Sequence, residues 1–81
     1  MAMRHELKTV NPWFTDVYEG RKNFEVRKND RGYSVGDLLV LREWTGSNYT
    51  ALKVEKIVKY ILRGEDFSEG LKPGYVIIGF E

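Results

Sequence analysis

After Gly20 the spacing of apolar residues changes from four to two, and no helix-length periodic segment returns before the last residue. Before the change, Asn11-Pro12 is a helix start in which Asn caps and Pro takes the first helical position, and Gly20 stops the helix after about two turns. Trp13 and Val17, and Phe14 and Tyr18, each lie four apart, giving a stripe to be covered, while Asp16 and Glu19 face water. After it, Asn23 to Arg27 alternates as a half-buried strand, with Phe24 and Val26 on the covered face. Turn residues at Asn29-Asp30-Arg31-Gly32 and Gly36-Asp37 precede a near-continuous apolar strand, Leu38 to Trp44, and Thr45-Gly46-Ser47-Asn48 reads as a hairpin connection. From Tyr49 to Leu62 one long strand keeps Leu52, Val54, Val58, Tyr60 and Leu62 in phase. Ile57 and Ile61 are out of phase, which calls for a bulge or bend near Lys56. A Gly- and acid-containing loop, Arg63 to Gly74, leads to a last strand, Tyr75 to Phe80, buried through Val76, Ile78 and Phe80. The expectation is a helix followed by about five strands: a mainly β, α+β chain forming a small β-barrel with the N-terminal helix at its rim. This fits the pattern better than a parallel α/β sheet, because no helix-length periodic segments lie between the strands, and a plain SH3- or OB-type barrel is the rival.

At 81 residues the chain has room for a single domain, 1–81. It has no cysteine, which excludes disulfides, a thiolate zinc site and a cysteine nucleophile, so the apolar core carries stability alone. One His is too few for a His-based metal cluster, and neither metal nor cofactor dependence is expected. The longest apolar run, Leu38-Leu39-Val40-Leu41, is far short of a membrane span and no leader opens the chain, so a soluble, cytoplasmic protein is expected. The net charge of +1 hides an uneven distribution. Arg21 to Arg31 carries five basic and two acidic residues, whereas Arg63 to Glu81 carries two basic and four acidic, so the surface is two-signed.

The densest cluster of chemistry runs from Gly20 to Arg31. Lys22, where the chain leaves the helix, is a compact point charge suited to an anion. Glu25 and Arg27 share a strand face about 7 Å apart at the strand rise of roughly 3.4 Å per residue, so they either pair or bracket one ligand. Lys22, Arg27, Lys28 and Arg31 offer only donors and suit phosphate oxygens, whereas Glu25 accepts from a base amino group. The plain alternative is a Glu25–Arg27 surface ion pair worth under about 1 kcal/mol. Trp13, Phe14 and Tyr18 read as core. Trp44, at a strand end, is placed to stack a base, with Tyr33 and Tyr49 similarly placed as rim or contact residues. His5 is either packed or solvent-facing, or else lines a site together with Lys8 through an N-terminal strand.

Gly-x-Lys-x-x-Glu-x-Arg at Gly20, Lys22, Glu25 and Arg27 resembles the signature of the activating signal cointegrator homology (ASCH) domains, relatives of the PUA RNA-binding barrels. His5-Glu6-Leu7-Lys8, and Arg27 to Arg31 followed by Val35-Gly36-Asp37, resemble a subgroup of short ASCH-like proteins of bacteria and their phages, over essentially the whole chain. The resemblance implies a small barrel with helices at its rim and a cleft beside the signature that holds RNA or a nucleotide-like ligand. It also implies an enzyme alternative, because some bacterial ASCH proteins are amidohydrolases of acylated cytidine whose activity is associated with a signature Lys, a Thr three residues later and a distal Glu. Lys22 matches the first, but the second position is Glu25, so the family's nucleophile is missing; Glu65, Asp66 and Glu69 are the candidate distal acids. Lys22 and Glu25 are then the catalytic candidates. Three functions stay in play: an RNA- or nucleotide-binding module, a small hydrolase of a modified nucleoside, and a phage or bacterial protein-interaction module.

Overall fold

The computed structural model describes residues 2–81. The chain runs β1 (Arg4–Thr9), α1 (Trp13–Tyr18), β2 (Phe24–Lys28), β3 (Leu38–Trp44), β4 (Tyr49–Arg63), a single 3-10 turn (Gly64–Asp66) and β5 (Tyr75–Phe80). The strands form one mixed sheet in the order β1-β3-β4-β5-β2, in which β1 and β3 are parallel and the other neighbours antiparallel. The chain is therefore mainly β, as expected, but it opens with a strand ahead of the helix. That strand is faint in the sequence because only Leu7 of its three buried residues, His5, Leu7 and Thr9, is aliphatic.

The fifteen-residue strand β4 organises the sheet. Residues Tyr49 to Ile57 pair with β3 and residues Val58 to Arg63 with β5, so one strand serves two halves. A register shift between Val58 and Tyr60 marks the expected bulge, three residues beyond Lys56. The extra residue changes which side chains face inward: Val54 and Val58 pack on the core before it and Ile61 after it, leaving Tyr60 in solvent. In β3, Leu39, Val40 and Leu41 are all fully buried, which requires cover on both faces and accounts for the unbroken apolar run. β5 buries Val76, Ile78 and Phe80 as its alternation demands.

The five strands do not close into a barrel through a backbone ladder; β1 and β2 remain the two edges of an open sheet. Between the described edges the bridge is made by a side chain instead, with Arg27 Nη2 of β2 donating to the Lys8 carbonyl of β1 at 2.9 Å.

Helix α1 packs against β3 and β4 through Phe14 and Val17. The helix begins one residue later than predicted, with Pro12 instead of Asn11 at the N-cap and no side-chain cap there; the Asn11 side-chain oxygen still reaches the first turn, accepting from the Thr15 backbone N–H at 3.0 Å. Trp13 and Tyr18, expected in the core, are instead more than half exposed. The helix has under two turns, so one three-residue step, Phe14 to Val17, satisfies its contact with the sheet and the flanking aromatics fall outside it.

The 63–74 loop is held by a close approach at Gly64, where an added Cβ would lie 2.1 Å from the Lys72 carbonyl oxygen. Backbone on both sides leaves no flexible group to yield. Gly64→Ala is expected to destabilise the protein by about 3 kcal/mol, read as a lower midpoint in urea with an unchanged slope.

Candidate functional site

Where the sheet fails to close, a cleft of about 670 Å³ opens between the edge of β2, the end of β1 and the start of α1. This volume lies within the range of small-molecule sites. Trp13 and Phe24 supply its aromatic walls and Val10 and Val26 its aliphatic ones, while Lys8, Thr9, Lys22, Glu25 and Arg27 supply the polar groups. Three cations and one carboxylate leave the lining at a net +2.

Strand β2 is inverted relative to its sequence pattern. Glu25 is 4% exposed, whereas Phe24 and Val26, expected on the covered face, are 45% and 52% exposed. A buried carboxylate demands partners, and Glu25 has two: one oxygen meets Lys22 Nζ, and the other accepts from Arg27 Nε at 3.2 Å and Nη2 at 3.0 Å. Lys22 Nζ also donates to the Phe24 carbonyl at 2.8 Å, and Arg27 Nη2 reaches Thr9 Oγ1 at 3.2 Å as well as the Lys8 carbonyl. The three signature side chains thus form one network, not a surface pair. Their side chains are 15%, 6% and 24% exposed for Lys22, Glu25 and Arg27. The polar face of β2 points inward with its charges paired, and its apolar face becomes cleft wall.

Lys8 lines the cleft, and its ammonium lies 4.2 Å from the centre of the Trp44 ring. Trp44 itself is outside the cleft, packed edge-on against Tyr49 with ring centres 4.9 Å apart, so it braces Lys8 and does not meet a ligand there. Lys28 and Arg31 border a second, smaller cavity of about 150 Å³ that shares Lys8 and Arg27 with the first. Glu65, Asp66 and Glu69, the candidate distal acids, are not among the cleft residues, and Glu65 is engaged with the Gly74 backbone N–H at 2.9 Å. Trp13, Phe24, Val26, Thr9 and Val10 are the lining residues that sequence reasoning assigned elsewhere or passed over. Thr9 had one available signal, its place in phase with His5 and Leu7.

His5 does not reach the cleft. It is buried beside Tyr33, with ring centres 4.8 Å apart, and its Nε2 lies 2.8 Å from Asp37 Oδ2. An ionised carboxylate only accepts, so Nε2 carries the proton. Asp37 also accepts from the backbone N–H groups of Met3 and Ser34 at 3.0 and 2.9 Å, tying the start of β1 to the β2–β3 connection. Burial by itself raises the Asp37 carboxyl, but these N–H donors and the imidazole outweigh it and hold the group below the ordinary carboxylate range. Tyr33 moves the other way, burial holding its phenol above the ordinary range.

A family model described as a domain of unknown function, DUF3850, matches residues 4–80. The chain belongs to this family. It is similar to a protein of Escherichia phage P2 described as an uncharacterized 12.9 kDa protein in the GpA 3′ region, with 41% identity over 69 residues. That match covers 85% of this chain and 63% of the relative, so the DUF3850 chain spans under two thirds of the relative's length.

Two outcomes are expected of this geometry. Glu25→Ala leaves the Lys22 and Arg27 charges adjacent without a counter-charge and lowers stability by about 3 kcal/mol in urea denaturation. For Asp37, the folded pKa lies below the unfolded one, so its contribution is complete above the unfolded value and lost as pH falls through the folded value. The stability advantage of wild type over Asp37→Asn is therefore greatest near neutral pH and narrows below about pH 4, as thermal melts across pH will read.

Proposed function

We propose that this protein is a binding module for RNA or a nucleotide-sized ligand, taking a base in the cleft between β1 and β2. The observation that carries this reading is the pairing of two exposed aromatic walls, Trp13 and Phe24, with a floor of buried charge at Lys22, Glu25 and Arg27. Aromatic faces stack bases without regard to sequence, worth about 1–3 kcal/mol per base. A lining at net +2 favours a ligand that carries negative charge. Because Glu25 and much of Arg27 are occupied within the network, these groups shape the floor, and the stacking walls and Lys8 provide the grip.

The ASCH resemblance belongs to the same proposal. What supports it is a mainly β chain of five strands around one long bulged β4, with the two edges bridged by Arg27. A phage relative agrees with the bacterial and phage setting of that subgroup.

The hydrolase reading has one observation in its favour, the contact of Lys22 with Glu25 inside the cleft. A proton donor beside a carboxylate is a workable acid–base pair for cleaving an acylated nucleoside. Release of cytidine from acylated cytidine, abolished by Lys22→Ala in a folded variant, is its expected result; no turnover sets it aside.

The binding reading is tested by fluorescence titration in a Trp44→Phe background, so that Trp13 alone reports. Single-stranded RNA and the four common ribonucleosides and their monophosphates are expected to quench it. Phe24→Ala is expected to weaken binding by about tenfold. For the RNA, log affinity falls with log salt at a slope of roughly −2 if about three phosphates are neutralised. Unchanged affinity in both Phe24→Ala and Trp13→Ala, the latter followed by calorimetry, overturns the cleft assignment.

A further inference from the structure

The smaller cavity has a different character from the cleft beside it. It is bordered by Arg27, Lys28, Asp30, Arg31 and Tyr33, with Lys8 on the side it shares with the cleft. Four cations face one carboxylate, a net +3 around about 150 Å³. That space is several water volumes, enough for a tetrahedral anion and too small for a base beside it.

Three features make the cations available. Among the described residues Lys8, Lys28 and Arg31 have no carboxylate partner, in contrast to Arg4, Arg21 and Arg42, which are all paired. Arg27 is pinned by Glu25, Thr9 and the Lys8 carbonyl through Nε and Nη2, and its Nη1 makes no hydrogen bond among the described residues. A guanidinium fixed on one side with a donor group spare on the other is pre-organised for an oxyanion. Tyr33 adds a phenol to this wall, neutral at physiological pH and so able to donate.

We propose that this cavity is a phosphate subsite, so that the ligand is a nucleoside phosphate whose base lies in the cleft and whose phosphate lies across Arg27 against Lys28 and Arg31. The inference rests on the base-binding reading of the cleft. The phosphate belongs either to a free mononucleotide or to one residue of an RNA strand, and the chemistry is shared. Asp30 opposes the phosphate and sets a limit on its affinity.

The experiment is isothermal titration of wild type, Lys28→Ala/Arg31→Ala and Asp30→Asn with the four ribonucleosides, their 5′-monophosphates, inorganic phosphate and a short single-stranded RNA. Wild type is expected to bind at least one monophosphate about tenfold more tightly than its nucleoside. In the double variant that advantage disappears while nucleoside affinity is unchanged, and in Asp30→Asn it grows, a gain that misfolding cannot produce. Binding of RNA alone, lost in the double variant, supports the subsite and assigns the phosphate to a strand. Equal affinity for nucleoside and monophosphate in wild type overturns the subsite and leaves the base cleft standing, as does a double variant that binds every phosphate as wild type does. No binding of any of these ligands overturns both readings together.

Discussion

A carboxylate that the fold takes out of water sets the geometry of this protein's most distinctive region. Glu25 is buried on an edge strand, where an unpaired charge is not tolerated, and Lys22 and Arg27 are both drawn to it. Arg27 is oriented by Glu25 through Nε and Nη2, and Nη2 also reaches the Lys8 carbonyl and the Thr9 hydroxyl, holding the two edges of the sheet together. Such a network contributes little stability compared with well-packed apolar residues of the same volume. Its consequence is positional: the edges are joined at one point, the seam beside that point stays open, and the opening is the cleft.

The same interaction goes with an inverted β2. By alternation alone Phe24 and Val26 belong inside, and in an isolated sheet the apolar face would be covered. With Glu25 turned inward, Lys22 and Arg27 offset a burial that would cost several kcal/mol without them, and Phe24 and Val26 forgo part of the roughly 1.5–3 kcal/mol that each contributes when fully buried. Phe24 and Val26 keep part of that burial against the cleft, together with Trp13. The outcome is an apolar-walled groove with a charged floor, an arrangement that suits an amphipathic planar ligand better than a purely ionic one.

The buried His5–Asp37 pair is the counterpart on the structural side. It joins the first strand to the turn before β3 and has no route to the cleft. A lone histidine and a signature lysine look equally chemical in a sequence. They separate only when their surroundings are known: Asp37 closes His5 within a saturated network, whereas Lys8, Lys28 and Arg31 keep donors free around a cavity.

The strands β3, β4 and β5, the hairpin after Trp44, the short helix before Gly20 and the bulge in β4 were all readable from residue order, because each depends on local period or turn chemistry that neighbours in sequence supply. So was the grouping of Lys22, Glu25 and Arg27, which lie within six residues. The first strand was obscured because its inward positions are mostly polar and find their partners far along the chain, His5 at Asp37 and Thr9 at Arg27. The inversion of β2, the exposure of Trp13, the separation of Trp44 and His5 from the cleft, and the open seam were decided by tertiary structure. Each turns on which elements meet in space, and a pattern of periods two and four carries no information about which edge meets which.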